Sequence, residues 1–421
     1  MTDDGMAAAQ AAEEGAAFAA SLAQLAQDSG LKALQWRGRT LLPVVQGGMG
    51  VGVSAGGLAG TVAGCGAVGT IASVDLRRVH PDLMERTAAL EGEGAKDAIN
   101  AANLEALSRE IRRARDIAQG RGLIAVNVMR AVGEYPAYVR QALESGADAL
   151  VVGAGLPLDL PELAADHPHV ALVPILSDAR GTQLVLRRWA KRGRKPDAIV
   201  IEHPGHAGGH LGAARIEDLH DPRFDFEVVL PQVLQVLREM GLERDVPVIA
   251  AGGIRSRDDI ARVQALGAAA VQLGTPFAVT HESDAHPHFK QVLAQARPED
   301  IVEFTSVAGL PARAVRTPWL DKYLRLEGRL QAGAHVKRHC TMWFDCLSQC
   351  GLRDGKAEWG QFCIDKVLGH AWLGEVRKGL FFRGAGALPF GEQVRSVAEL
   401  MQWLLGGIRP AAPTLEVIHA T

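Results

Sequence analysis

The chain has 421 residues, 48% of them hydrophobic and 22% charged, the balance of a globular protein with a sizeable core. A formal charge of −3 argues against nucleic acid or an anionic membrane surface as the partner. No apolar run reaches the ~18 to 20 residues of a membrane span.

The alanine-rich start, residues 1–30, opens with Asp3 and Asp4 where a signal peptide would carry basic charge. It reads as a flexible or helical tail, and the cytoplasm is the expected compartment. From Leu41 onward, eight short apolar runs follow: LLPVVQGG, GAVGTIAS, LIAVNVM, ADALVVGAG, VALVPILS, DAIVIEH, VPVIAAGG and AAVQLGT. None alternates with polar residues, as expected of strands covered on both faces. Amphipathic stretches lie between them, among them Tyr135–Ser145, Gly181–Lys191, Val228–Met240 and Ser256–Leu266. Eight such alternations predict an α/β fold, a (β/α)8 TIM barrel, over residues 31–325. An open doubly wound sheet is the alternative. Its GxGxxG turn is only partly matched by Gln46-Gly47-Gly48-Met49-Gly50-Val51-Gly52.

Two long insertions follow strands two and six: a charged helical excursion over about 75–105, and a Gly- and His-rich loop over about 203–226. Long βα loops lie at the carboxyl face, where barrels keep their active sites. Residues 326–421 read as an irregular, mostly helical C-terminal extension, and the Gly/Pro-rich stretches Gly309–Pro311, before it, and Arg383–Phe390, within it, look like covering loops.

The strand ends carry the chemistry. Strand one ends in Gln46-Gly47-Gly48-Met49 and strand three carries Asn127. Strand six runs into His203, His206 and Ala207-Gly208-Gly209-His210. Strands seven and eight end in Ala251-Gly252-Gly253-Ile254 and Gln272-Leu273-Gly274-Thr275. Glycines there let backbone N–H groups approach a phosphate, and the Thr275 hydroxyl adds a donor; tight βα turns are the plainer reading. Gln46 and Asn127 suit the polar edge of a flat heterocycle, because an amide both donates and accepts. Asn127 also serves as a simple turn-former. The three loop histidines are open to a metal ion or to hydrogen-bonding one another.

PVVQGGMGVGVS, IAVNVM, VVGAGLP, HAGGH, VPVIAAGGI and VQLGTPF together resemble the nitronate monooxygenase family, formerly 2-nitropropane dioxygenases, from Leu41 to Arg316. The resemblance implies non-covalent FMN and a histidine base beside it, which maps to His210. The candidate cofactor-binding set is then Gln46, Gly47, Gly48, Met49, Asn127, Ala207, Gly208, Gly209, Gly252, Gly253, Gln272, Gly274 and Thr275. The expected reaction is oxidation of alkyl nitronates by dioxygen. Relatives on the same barrel are NAD(P)H-dependent quinone or enoyl-thioester reductases, so NAD(P)H as co-substrate is the alternative. A barrel binding a phosphorylated ligand without redox chemistry is a third reading. The expected partner is a small-molecule substrate, and a homodimer is left open.

Cys65 stands alone, whereas Cys340, Cys346, Cys350 and Cys363 are spaced C-x5-C-x3-C-x12-C. This resembles, without matching, the C-x2-C-x3-C-x11-C run that carries a [4Fe–4S] cluster in the 2,4-dienoyl-CoA reductase class. Zinc on four thiolates is the rival, and thiols packed as small apolar residues are the third option.

Overall fold

Each of the eight apolar runs forms a parallel strand in the computed structural model, which describes residues 3–92 and 94–411, with the backbone alone for residues 3–8. The strands are β1 (Val44–Gln46), β2 (Val68–Ala72), β3 (Leu123–Met129) and β4 (Ala149–Gly153), then β5 (Ala171–Leu176), β6 (Ile199–Glu202), β7 (Val248–Ala251) and β8 (Ala270–Leu273). Sequence neighbours pair all the way round, and β8 returns to β1, closing the barrel.

Strand parity sorts the side chains into two layers. Val45, Val68, Ala125, Val151, Val173, Val200, Ile249 and Ala270 fill the barrel interior. Their neighbours Val44, Ile124, Val126, Leu150, Leu172, Ile199, Ile201, Val248 and Val271 face the surrounding helices. This two-sided burial explains the unbroken apolar runs. A hairpin of Leu34–Trp36 and Arg39–Leu41 plugs the amino end, where Leu34, Trp36 and Leu41 join the interior cluster. Trp36 Nε1 donates to the Asp197 carbonyl at 2.8 Å, so even the indole polar atom is satisfied.

The alanine-rich start forms a helix, Asp3–Asp28, whose Leu25 packs against Gly406 of the helix Val397–Gly406. Beyond Leu273 the chain is not only helical. Antiparallel strands Ile301–Thr305 and Pro311–Val315 pair with the short strand Gly209–His210, outside the barrel. Arg313 gave the sequence no strand signal because a charged residue interrupts its apolar pattern. The chain then returns over the carboxyl face, with bridges Val132↔Leu347 and Ala314↔Phe382. Among the described residues, no helix is long and apolar enough to cross a membrane.

Candidate active site

The carboxyl ends of the strands surround a cavity of about 290 Å³. Its walls come from the strand ends, from the loop after β6, and from the returning C-terminal segment, which contributes Leu347, Ile364, Leu368, Leu380 and Phe382. The stretch Arg383–Leu388 also lines it, so that loop does cover the mouth.

Most of the strand-end residues singled out in the sequence line this cavity: Gly47, Gly48, Met49 and Asn127 on one side, Gln272, Gly274 and Thr275 on another. Gly252 and Gly253 adopt φ of 97° and 77°, the left-handed region that favours glycine. Gln272 is buried, and its Oε1 has no hydrogen-bond partner. Asn127 Nδ2 donates to the Val151 carbonyl at 3.1 Å, which holds the amide plane at the cavity wall. Thr275 Oγ1 accepts from the Gly384 N–H at 2.9 Å, tying the cover to β8 while its own proton stays free to donate.

Gln46 departs from expectation. It is fully buried and does not line the cavity. It shares parity with Val44, which faces the helices, so its side chain leaves the barrel axis. There its Oε1 accepts from the Thr70 N–H at 2.9 Å, and its Nε2 donates to the Thr70 carbonyl at 3.1 Å. Strands β1 and β2 pair only at Val45↔Val68, and the amide continues the ladder where the backbones separate.

The loop after β6 is held from outside. Arg313 is 1% exposed, forms an ion pair with Glu303 at 2.5 Å, and donates to the Pro204 carbonyl at 3.0 Å and to the Ala207 carbonyl. A Cβ on Gly208 would lie 2.5 Å from the Arg383 carbonyl carbon, so the loop meets the cover backbone to backbone. His210 points its Nε2 into this buried space with no hydrogen-bond partner, and Phe382 lies edge-on to its ring at 5.6 Å. Burial pushes the His210 imidazole down to about 4, so it is neutral at pH 7. His203 is instead a turn-former: its Nδ1 accepts from the Gly205 N–H at 3.1 Å and its Nε2 faces Asp225 at 3.3 Å.

No group of three or more His, Cys, Asp or Glu side chains among the described residues is placed to hold a metal ion. The expected [4Fe–4S] cluster or zinc on Cys340, Cys346, Cys350 and Cys363 is therefore not supported by the arrangement of the described side chains. The four thiols lie near enough for the charges of Cys340, Cys350 and Cys363 to act on Cys346. Cys346 faces the cavity, Cys350 accepts from the Arg353 N–H at 3.5 Å, and Cys363 caps the helix Ile364–Trp372. Burial pushes the Cys346 and Cys350 thiols up and Cys363 to about 11, and neighbouring thiols add to the rise at Cys346 and Cys363.

Glu202 and Arg313 were missed in the sequence. Glu202 is the only acid in the run DAIVIEH after Asp197, at its end, which is the signal that could have found it.

An eight-stranded parallel barrel with its cavity at the carboxyl face is the architecture of a TIM-barrel enzyme. The family model for nitronate monooxygenase matches residues 35–404, and the chain belongs to that family. A protein of Bacillus subtilis (strain 168) named "Probable nitronate monooxygenase" is 33% identical over 129 residues, covering 31% of this chain and 35% of the relative. Across the first three curated relatives, the matched stretch spans 35 to 58% of their length. Among solved structures, FabK from Thermotoga maritima is similar in fold with a TM-score of 0.60 at 22% identity, covering 86% of this chain and 91% of its own. A nitroalkane oxidase from Streptomyces ansochromogenes has a TM-score of 0.57 at 20% identity, covering 86% and 94%.

Proposed function

We propose that the protein is an FMN-dependent oxidoreductase that oxidises alkyl nitronates with dioxygen, with His210 as the base. The observation that carries this reading is the unpartnered Nε2 of a neutral His210, buried within the cavity at the carboxyl face. Family membership adds to it.

The cavity fits FMN on the chain's own atoms. The orphaned Gln272 Oε1 needs a donor, and Asn127 presents a second amide beyond the Gly47-Gly48 turn, as the polar edge of a flat heterocycle requires. Gly252, Gly253, Gly274 and Thr275, at the ends of β7 and β8, would hold the phosphate. When bound, FMN supplies the electron acceptor that no side chain here can provide. His210 would take the proton from the carbon beside the nitro group of a neutral nitroalkane, generating in the site the nitronate that is then oxidised, and a neutral imidazole is the competent form for that step. Phe382 and the cover Arg383–Leu388 would keep water from that atom.

The test is oxygen uptake with neutral 1-nitropropane and with propyl nitronate, without pyridine nucleotide, alongside an absorption spectrum of the purified protein. Flavin bands are expected, with uptake on the neutral nitroalkane that disappears in His210→Ala while the bands are retained. A colourless protein, or turnover seen only as NADH loss to a quinone or enoyl acceptor, would overturn the proposal.

A further inference from the structure

The last residue of β6, Glu202, has no role in the mechanism above, yet it lines the same cavity. Ala198 and Val200 of that segment face the barrel interior, so parity turns Glu202 inward as well. It stands in register with Ala251 on β7, and Ala251 stands in register with Gln272 on β8. One rung of the barrel therefore carries a carboxyl, a methyl and an amide. At a strand spacing of ~4.8 Å, the backbones of Glu202 and Gln272 are about 10 Å apart, with only the small Ala251 between them.

Both polar ends lack protein partners. Gln272 Oε1 is buried and unsatisfied, and only burial and the charge of Arg313 act on the Glu202 carboxyl. Arg313 itself is already committed to Glu303 and to two loop carbonyls. A buried polar group without a partner is costly, and an orphaned Gln272 amide beside a half-buried carboxyl that opens into the same cavity without a protein partner points to a ligand that satisfies both.

We propose that Glu202 is a ligand-binding residue of the barrel mouth, forming with Gln272 a rim that hydrogen-bonds the edge of the bound heterocycle, with the Glu202 carboxyl as donor. This inference rests on the FMN reading and extends it to a residue outside the set singled out in the sequence. Burial pushes the free carboxyl up to about 7, against the opposing pull of Arg313. A ligand that fills the cavity removes its remaining water and further disfavours the carboxylate. Binding then takes up a proton at higher pH. The other titratable groups around it are His203, His206 and His210 on the following loop, Asp225 against His203, Arg255 after β7, and the Arg313–Glu303 pair. Burial holds His206 and His210 at about 4 and His203 below its ordinary value, so none gains charge above neutrality.

The experiment is titration of the apoprotein with FMN, followed by flavin fluorescence, from about pH 6.5 to 9 for wild type, Glu202→Gln and Glu202→Ala. Wild-type affinity is expected to fall about tenfold per pH unit above roughly pH 7, the signature of one linked proton. Glu202→Gln, a permanent donor, should lose this slope, and whatever pH dependence it keeps is the baseline set by the FMN phosphate. Glu202→Ala should bind about tenfold more weakly at the acid end. Wild-type and Glu202→Gln profiles that coincide, or Glu202→Ala binding as tightly as wild type, would overturn the proposal while leaving the FMN reading intact. If Glu202→Ala does not fold, the first two profiles decide. A wild-type protein that binds no FMN at any pH would sink both.

Discussion

Gly48 and Asn127 face each other so closely that a Cβ on Gly48 would lie 2.3 Å from the Asn127 Cβ. Real carbon atoms do not approach to that distance, so the turn after β1 can pass the end of β3 only with a hydrogen at residue 48. The substitution Gly48→Ala must push Asn127 off the cavity wall and break its 3.1 Å bond to Val151. The expected outcome is FMN affinity lowered by at least about tenfold, with stability falling by about 1–3 kcal/mol, the usual cost of overpacking. Flavin titration and urea unfolding check the two parts. Unaltered flavin affinity would show that Asn127 is not a contact of the ring.

His210 makes a prediction about pH. Burial holds its imidazole at about 4 in the free enzyme, against ~6.5 for an unperturbed histidine. The neutral ring is the form that accepts a proton, and kcat/KM reports the free enzyme. Its acid limb should therefore fall near pH 4 and not near 6.5. Stability follows the same shift. Between roughly 4 and 6.5 the unfolded chain binds a proton at His210 and the fold does not. The contribution is thus complete above about 6.5 and is lost as pH falls toward 4. His210→Asn should weaken this dependence in urea midpoints measured across that window, and an unchanged slope would count against the buried, neutral assignment.

The barrel was legible in the sequence because each strand is covered on both faces and reads as an unbroken apolar run. Strand parity at the mouth was harder to see. Gln46 and Glu202 both end apolar strands, yet Gln46 shares the outward parity of Val44 and Glu202 the inward parity of Val200. Residue type alone favoured Gln46, and direction reverses that choice. The C-terminal wall could not be read at all, since it depends on pairings such as Arg78 with Asp365, 287 positions apart.

Arg313 fixes the loop that carries His210 without touching the cavity. Its guanidinium is buried, pairs with Glu303, and takes the carbonyls of Pro204 and Ala207. The substitution Arg313→Met fills similar space but leaves the carboxylate and both carbonyls without their donor. A loss of about 3 kcal/mol is expected, the lower end for breaking a buried pair, because Glu303 keeps 24% exposure. Arg313→Lys restores the charge without the planar fork and should recover only part of it. Turnover should fall in the same order as stability, through His210 placement, while FMN remains bound. Wild-type turnover in Arg313→Met would remove the positioning role.

Arg78 binds the C-terminal wall to the barrel. It is 13% exposed, lies 2.5 Å from Asp365, and also pairs with Asp75, which Arg77 holds from the other side at 2.8 Å. Burial works to raise both carboxyls. The two arginines nevertheless keep Asp75 below its ordinary range, while burial and the Asp75 charge push Asp365 up to about 7. The substitution Arg78→Ala leaves two buried carboxyls facing each other with only Arg77 nearby. A loss of about 3–5 kcal/mol is expected above pH 7. The loss should shrink toward pH 5, because the variant can then protonate a carboxyl and remove the uncompensated charge. Asp365 lies on the first turn of the helix Ile364–Trp372, and that helix supplies Ile364 and Leu368 to the cavity. Releasing it should therefore open the active site locally before the barrel melts. Hydrogen exchange in Arg78→Ala should be faster across residues 364–372 and unchanged in β3 to β6. A uniform increase would instead place Arg78 in the global core, with no special hold on the wall of the site.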